Sequence, residues 1–588
     1  MEISKVGVVG CGTMGAGIAE VVARAGVPVA FVEVSGEAVA AARARIEASL
    51  GRAVAGGKLD AAERDAALAR ISGGTELGDL EDADLVIEAV PERLHVKLQV
   101  FQALDEVMKP GALIATNTSS LPVIDLAVQT SRPDRVVGLH FFNPAPVMNL
   151  VELVTTVITS DESVEALRSF AATLGKTPVV IRDRAGFIAN LLLFPYLNQA
   201  IGMLEDRYAT REDIDASMRF GTGHPMGPLG LLDLIGLDSA LNILDRLHEE
   251  FGGTRYAPRP MLRHLVAAGF LGRKTGRGFY TYEAPGSPVV AADEAGGVAK
   301  PDPATVDGWR TVGVLGTGTM ASGIAEVCVK AGFDVVIRGR SVDKAQGAVR
   351  AIDKSLSKAV ERGKLEADAK DALLAKLTAT DDIAGFGDCD VVIEAVAEDL
   401  ELKRELFAQL DQVTKPSALL ATTTSSLPVI ECAMATSRPE RVIGVHFFNP
   451  AAIMRLVEIV PTVRTEALAL EQARAFTAKV GKHGVLCGDR AGFIVNALLF
   501  PYLNDAVRML ESGYATVGEI DAAMKLGAGH PMGPFTLMDV VGLDVTLEIC
   551  KALHAEFQEP DFAPAQLLEH MVSIGYLGRK TGRGFLVY

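Results

Sequence analysis

Histidine titrates near pH 6.5, so it is the side chain best suited to moving protons at neutral pH. The chain of 588 residues has ten. His140 follows a short apolar run, 136–139, and Glu152 lies within a second one, 150–154. A strand, a turn and a returning strand would bring that carboxylate beside the imidazole. There it would orient the ring and favour the imidazolium. Such a pair serves acid–base chemistry at a hydroxyl or carbonyl oxygen. The same arrangement recurs as His446 and Glu458. Three further histidines also have counterparts: His224 with His530, His248 with His554, and His264 with His570. His224 sits in Gly-His-Pro-Met-Gly-Pro, which reads as a turn between helices and a structural residue. His248 and His264 lie in helical patterns and read as packing or surface positions.

A second chemistry is written at the start of the chain. The apolar run 6–9 leads directly into Gly10, Gly12 and Gly15 in GxGxxG spacing, then into a helical pattern. A second strand pattern ends at Glu33. Gly10 permits a tight turn, Gly12 lets a pyrophosphate approach the backbone, and Gly15 allows close helix–strand packing. The helix N-terminus offers N–H donors to phosphates. A carboxylate at Glu33 suits the two ribose hydroxyls of NAD. The second occurrence differs: Gly316 and Gly318 are kept, Ala321 replaces the third glycine, and Gly339 stands where Glu33 would be. Arg338, Arg340 and Ser341 surround that position, a set able to hold a 2′-phosphate. NAD is therefore expected in the first copy. In the second, NADP or NAD is expected, with NADP favoured.

These recurrences extend over nearly the whole chain. Residues 6–282 and 312–588 align without a gap, too long a unit for a solenoid repeat. The expected fold is α/β: two copies of a Rossmann-like dinucleotide-binding domain, each followed by an all-α C-terminal domain. The expected boundaries are 1–184 and 185–282 for copy 1, and 312–490 and 491–588 for copy 2. Between them, 283–311 carries Pro285, Pro288, Pro301 and Pro303 and reads as a linker. The region 37–72 reads as a charged helical excursion without a strand, and 229–251 as one helix.

Composition limits the alternatives. Hydrophobic residues make up 49% and charged residues 22%, which excludes a disordered chain. The net charge of −17 argues against a nucleic-acid partner. Six scattered cysteines without a CxxC pair give no metal site and suit a reducing compartment. Neither a signal-peptide pattern nor a membrane-length apolar run is evident, so no membrane partner and a cytoplasmic location are expected.

Several runs together resemble a known family: GCGTMG at 10–15, VIEAV at 86–90, NTSS at 117–120, HFFNP at 140–144, DRAGFIAN at 183–190 and GRKTGRGF at 272–279. The chain resembles the L-3-hydroxyacyl-CoA dehydrogenases, particularly bacterial 3-hydroxybutyryl-CoA dehydrogenases, but with two full units in one chain. The resemblance implies reversible, NAD(P)-dependent oxidation of a short-chain (3S)-3-hydroxyacyl-CoA, with His140–Glu152 and His446–Glu458 as the catalytic pairs. It implies substrate contacts from Ser119, Asn190, Ser425 and Asn496, and a CoA-holding region around Ser49, Lys58 and Ser355. It implies cofactor contacts from Glu88, Lys97, Asn117, Asn143 and Lys274, and from Glu394, Lys403, Asn449 and Lys580. Thr423 replaces Asn117 in copy 2. Family members usually dimerise through the helical domain. That implies an internal pseudo-dimer, with the apolar stretches 229–237 and 534–543 as candidate contacts, and leaves a higher homo-oligomer open. Two other readings stay open: copy 2 as a purely structural partner, and a dehydrogenase acting on a free hydroxy acid.

Overall fold

The computed structural model describes residues 2–291 and 301–588. Each copy opens on an eight-stranded sheet. In copy 1 the strands are β1 (Val6–Val9), β2 (Val29–Val32), β3 (Ile71–Gly74), β4 (Leu85–Glu88), β5 (Leu113–Thr116), β6 (Val136–Phe141), β7 (Leu150–Thr155) and β8 (Thr177–Arg182). Copy 2 repeats them as β9 (Thr311–Leu315), β10 (Asp334–Arg338), β11 (Leu377–Thr380), β12 (Val391–Glu394), β13 (Leu419–Thr422), β14 (Val442–Phe447), β15 (Leu456–Pro461) and β16 (His483–Leu486). The spatial order is β3-β2-β1-β4-β5-β6-β7-β8, and its equivalent in copy 2. All neighbours are parallel except β6 with β7, and β14 with β15. Strands β1, β2, β4 and β5 are buried throughout, as their continuous Val/Ile/Leu/Ala content requires of a sheet covered on both faces. The strand order reverses between β1 and β4, the switch point at which such sheets bind ligands.

Two sequence expectations are corrected locally. The excursion 37–72 does contain strand residues, because β3 pairs alongside β2 at the sheet edge. Its sequence, Ile-Ser-Gly-Gly, has too little apolar content to show as a strand. The helix expected over 229–251 is two helices, Pro228–Ile235 and Leu237–Phe251, broken at Gly236, whose φ of +100° suits glycine.

The expected linker 283–311 is only partly a spacer; residues 292–300 lie outside the described region. Before it, Tyr282 bridges to Val290. After it, the turn Pro303–Val306 packs on helix Ala467–Lys479, with Val306 buried and the Trp309 ring 6.0 Å from Phe476.

The two helical domains share one core. Helices Ala189–Glu205 and Val495–Glu511 are apolar on nearly every face and pack against each other. Along the pseudo-twofold axis, Tyr196 meets Tyr502 at 6.3 Å and His224 stacks on His530 at 3.9 Å. Helix Arg211–Gly221 of copy 1 lies on β15 and β16 of copy 2, and helix Val517–Gly527 lies on β7 and β8 of copy 1. The expected contacts 229–237 and 534–543 do not form this interface. Helices Pro228–Ile235 and Pro534–Val541 pack on helices of their own copies, where Leu229, Leu232, Phe535 and Met538 are buried.

Candidate active site

The glycine turn joins β1 to helix Thr13–Arg24. Gly10 has a φ of +81°, and a Cβ on Gly15 would lie 1.9 Å from the Gly10 carbonyl oxygen. Gly12 caps the helix without a side chain, and the space a Cβ would enter is open. Its exposed N–H groups and that open space fit a pyrophosphate. Glu33 reaches the same turn: its Oε1 accepts the Cys11 N–H at 2.6 Å and its Oε2 accepts that of Val34. Both oxygens keep lone pairs for ribose hydroxyls.

Copy 2 rebuilds this end. Ala321 is tolerated because Gly316 opens to a φ of +135°. Gly318 again caps its helix beside open space. At Gly339 a Cβ would meet the Ala345 nitrogen at 2.8 Å and the Thr317 methyl at 3.0 Å, so no carboxylate fits. The Nε–H of Arg338 donates to the Asp381 carbonyl, and Ser341 caps the next helix by accepting the Lys344 N–H. Arg340 is exposed, with no ion pair to a described residue.

The histidine and its carboxylate are direct cross-strand partners, His140 opposite Glu152 and His446 opposite Glu458. His140 Nδ1 lies 2.7 Å from Glu152 Oε2, and His446 Nδ1 lies 2.8 Å from Glu458 Oε2. Glu152 is fully buried, and its Oε1 accepts the N–H groups of Ile188 and Ala189 where the helical domain begins. A carboxylate only accepts, so Nδ1 carries the proton. The other ring nitrogen, Nε2, has no partner among the described residues and remains free for substrate. Phe142 lies 4.6 Å from the His140 ring, and Phe187 lies 5.5 Å from it. Behind Phe142 stands Gly527 of copy 2, where a Cβ would lie 3.2 Å from the Phe142 ring and 2.9 Å from Leu150. Gly221 stands likewise behind Phe448 and Leu456.

Around this pair the predicted residues divide. Asn190 donates from the helical domain to the Ser119 carbonyl at 3.4 Å, joining two expected substrate contacts. Asn117 Oδ1 accepts the Phe141 N–H at 2.8 Å, tying the NTSS loop to the strand carrying His140. Thr423 makes no such bond among the described residues. Asn143 and Asn449 are exposed, each before a cis proline.

Glu88 and Lys97, expected as cofactor contacts, form an ion pair with each other. Both are buried, and Lys97 Nζ bonds to Glu88 at 2.8 and 3.0 Å. Glu88 also accepts from Thr116 and the Val90 N–H. Glu394 and Lys403 repeat this pair, and each lysine also lies within 3.3–3.4 Å of a second glutamate, Glu92 or Glu398. Two buried charges satisfied by each other hold the strand ends in place.

The acid that faces the loop is Glu92, which the sequence reading missed. It accepts from the Thr118 hydroxyl at 2.5 Å and from the Ser119 and Ser120 N–H groups. Burial raises its pKa, but Lys97 and these hydrogen bonds outweigh that and hold it below the usual carboxylate range. Glu398 does the same in copy 2. Its recurrence four residues after the β4 and β12 ends was the available signal.

Among the described residues, Lys274 and Lys580 make no bond to the dinucleotide-binding domains. They pair with Asp238 and Asp544 of the helical domains. Their GRKTGRGF runs fold around a buried aspartate: Asp233 accepts the N–H groups of Phe279 and Tyr280. Ser49 and Ser355 lie half-buried on helices Gly36–Ala55 and Val342–Glu361. Lys58 is exposed and opens on a groove of about 650 Å³ with Arg24, Arg70 and Lys176, separate from the His140 pair. Among the described residues no His/Cys/Asp/Glu group could hold a metal, all six cysteines are free and buried, and no helix is long and apolar enough to cross a membrane.

Comparisons with known proteins place both copies in one family. The model of the 3-hydroxyacyl-CoA dehydrogenase NAD-binding domain matches residues 5–184 and 311–490, and that of the C-terminal domain matches 186–282 and 492–588. A 3-hydroxybutyryl-CoA dehydrogenase of Mycobacterium tuberculosis is 51% identical over 282 residues, covering 48% of this chain and 99% of that protein. A probable 3-hydroxybutyryl-CoA dehydrogenase of Bacillus subtilis is 44% identical, with the same two coverages. A crystal structure of 3-hydroxybutyryl-CoA dehydrogenase from Escherichia coli K12 matches the whole pair: TM-score 0.71, 28% identity, 98% of this chain and 99% of that one. The chain thus belongs to the 3-hydroxyacyl-CoA dehydrogenase family and carries its NAD-binding and C-terminal domains twice.

Proposed function

We propose that both copies interconvert (3S)-3-hydroxyacyl-CoA and 3-oxoacyl-CoA, with a short substrate such as 3-hydroxybutyryl-CoA. The observation that carries this reading is the His–Glu pair, the same in both copies to 0.1 Å. In the oxidation direction, His140 Nε2 takes the proton of the 3-hydroxyl, and Glu152 stabilises the imidazolium through Nδ1–H. The two backbone N–H groups on Glu152 keep the carboxylate, and so the ring, from turning. The Ser119 hydroxyl and the Asn190 amide orient the reacting oxygen, while Glu92 fixes the loop that carries Ser119. The dinucleotide, when bound, supplies the hydride acceptor. In the reverse direction the imidazolium returns its proton to the carbonyl oxygen.

Copy 1 takes NAD, with Glu33 on the ribose and the turn at Gly10, Gly12 and Gly15 under the pyrophosphate. Copy 2 prefers NADP. Support comes from the absence of room for an acid at Gly339 and from the unpaired cation of Arg340 beside it. Arg338 retains guanidinium N–H groups beyond the one given to Asp381.

The test is acetoacetyl-CoA-dependent oxidation of reduced nicotinamide by His140→Ala, by His446→Ala and by the double variant. Each single variant is expected to keep the turnover of the intact copy, and the double variant to lose both. Complete inactivity of His140→Ala would leave copy 2 as a structural partner only. Turnover of free acetoacetate would place the substrate class elsewhere.

A further inference from the structure

The interface between the copies is nearly twofold symmetric in its apolar and aromatic contacts. Tyr208 donates to the Gly488 carbonyl as Tyr514 donates to that of Arg182, and Arg490 lies over Tyr208 as Arg184 lies over Tyr514. Its charges are not symmetric. Arg255 of copy 1 binds Asp505 of copy 2, with Nη1 to Oδ1 at 2.7 Å and Nη2 on Oδ2. Both are largely buried, at 16% and 8% side-chain exposure. Asp561 Oδ1 stands 4.0 Å from the same Nη1 of Arg255. Arg255 and Asp561 are equivalent positions in the two copies, as are Gln199 and Asp505.

This equivalence allows the alternative pairings to be read directly. Two copy-1 halves would set Arg255 against a second Arg255, with Gln199 in place of the binding carboxylate. Two copy-2 halves would set Asp561 against a second Asp561 and against Asp505. The nearby cation Arg508 is committed to the Pro560, Asp561 and Ala563 carbonyls and to Asp505. Gln199 adds to the asymmetry by donating to the Ala497 carbonyl at 2.8 Å. At its equivalent, Asp505 offers a carboxylate, which cannot donate. A separate contact has the same sense. Phe220 of copy 1 packs on His483 at 4.9 Å and under Arg455 at 5.0 Å, whereas the equivalent positions are Leu526, Thr177 and Asn149. Buried unpaired or like charges cost far more than the symmetric apolar contacts differ.

We propose that this surface is coded to join a copy-1 half to a copy-2 half and to reject pairs of like halves. Duplication thus produced a heterodimer within one chain, selected by Arg255, Asp505 and Asp561. A cleavable site placed within 292–300 lets the purified full chain be cut between the copies. The cut protein is unfolded in urea, refolded, and weighed by native mass spectrometry. The expected species pair one half of each kind. Random assortment, with both kinds of like pair present, would overturn the proposal.

The uncut chain gives a second test that does not depend on refolding. Arg255→Asp alone is expected to lower Tm by several degrees. The fourfold variant Q199D/R255D/D505Q/D561R moves the same charge set to the opposite copies and is expected to regain most of that loss. A fourfold variant no more stable than Arg255→Asp contradicts the charge code.

Discussion

At the end of β2 the chain places Glu33, its carboxylate held against the Cys11 N–H. At the same point after β10 it places Gly339, closed in by Thr317 and Ala345. A short distance away, at the ends of β6 and β14, the two copies are superimposable in chemistry: histidine, glutamate, and the two N–H groups that pin the glutamate. Copies that had ceased to work would be expected to drift where chemistry is most demanding. Here the difference lies at the ends of β2 and β10, and the histidine–glutamate pair is kept in both copies. That contrast is the one the proposed functions of the two copies require.

That contrast can be broken most sharply at the shared end. Glu152→Gln, made in a His446→Ala background, removes the charge that holds the imidazolium. Turnover by copy 1 is expected to fall about 10²–10⁴-fold. Glu458→Gln in a His140→Ala background should cost copy 2 a similar factor, and a loss in only one copy would separate their mechanisms.

The next effect lies on the pseudo-twofold axis, where the copies meet as equals. Burial pushes His224 down to about 4, and burial together with His224 pushes His530 well below its ordinary value. Because the folded pKa lies below the unfolded value of about 6.5, unfolding takes up protons between those values. Stability is therefore full above about pH 6.5 and falls as the pH drops toward about 4, by on the order of 3 kcal/mol for His224. Urea unfolding at pH 7.5 and 5 should show this slope, and His224→Gln should flatten it. An unchanged slope in the variant would place the acid sensitivity elsewhere.

A smaller effect tests whether each site leans on the other copy. Gly527→Leu drives a side chain toward Phe142 and Leu150, and so toward His140. Read in the His446→Ala background, kcat of copy 1 is expected to fall ~10-fold, since a misplacement of about 1 Å at a reacting group costs up to 10²-fold. Gly221→Leu should leave copy 1 unaffected in that background and slow copy 2 when read in the His140→Ala background. The smallest effect is expected from Arg340→Ala, which should raise the KM of copy 2 for NADPH several-fold while leaving that for NADH unchanged.

Much of this was legible in the sequence because the decisive signals are local. GxGxxG after an apolar run states a turn, and the apolar runs 136–139 and 150–154 state two strands. That His140 and Glu152 face each other across β6 and β7 follows from their positions on those runs. What the sequence hid was longer in range. Glu88 and Lys97, nine residues apart, bond to each other inside the domain, a contact that no local pattern announces. Glu92 shows in the sequence only as a recurrence with Glu398, because the NTSS loop it binds lies 26–28 residues away. The interface was misplaced because apolar content marks burial without naming the neighbour. Pro228–Ile235 is buried by its own copy, and Ala189–Glu205, apolar all round, by the other as well.

The central claim is that copy 2 is a working dehydrogenase with its own cofactor. The direct measurement is acetoacetyl-CoA-dependent oxidation of NADPH and of NADH by the His140→Ala chain, beside the wild type. The account predicts turnover in that variant with NADPH preferred. Turnover with equal or better use of NADH would contradict the cofactor assignment, and no turnover with either would contradict a catalytic copy 2.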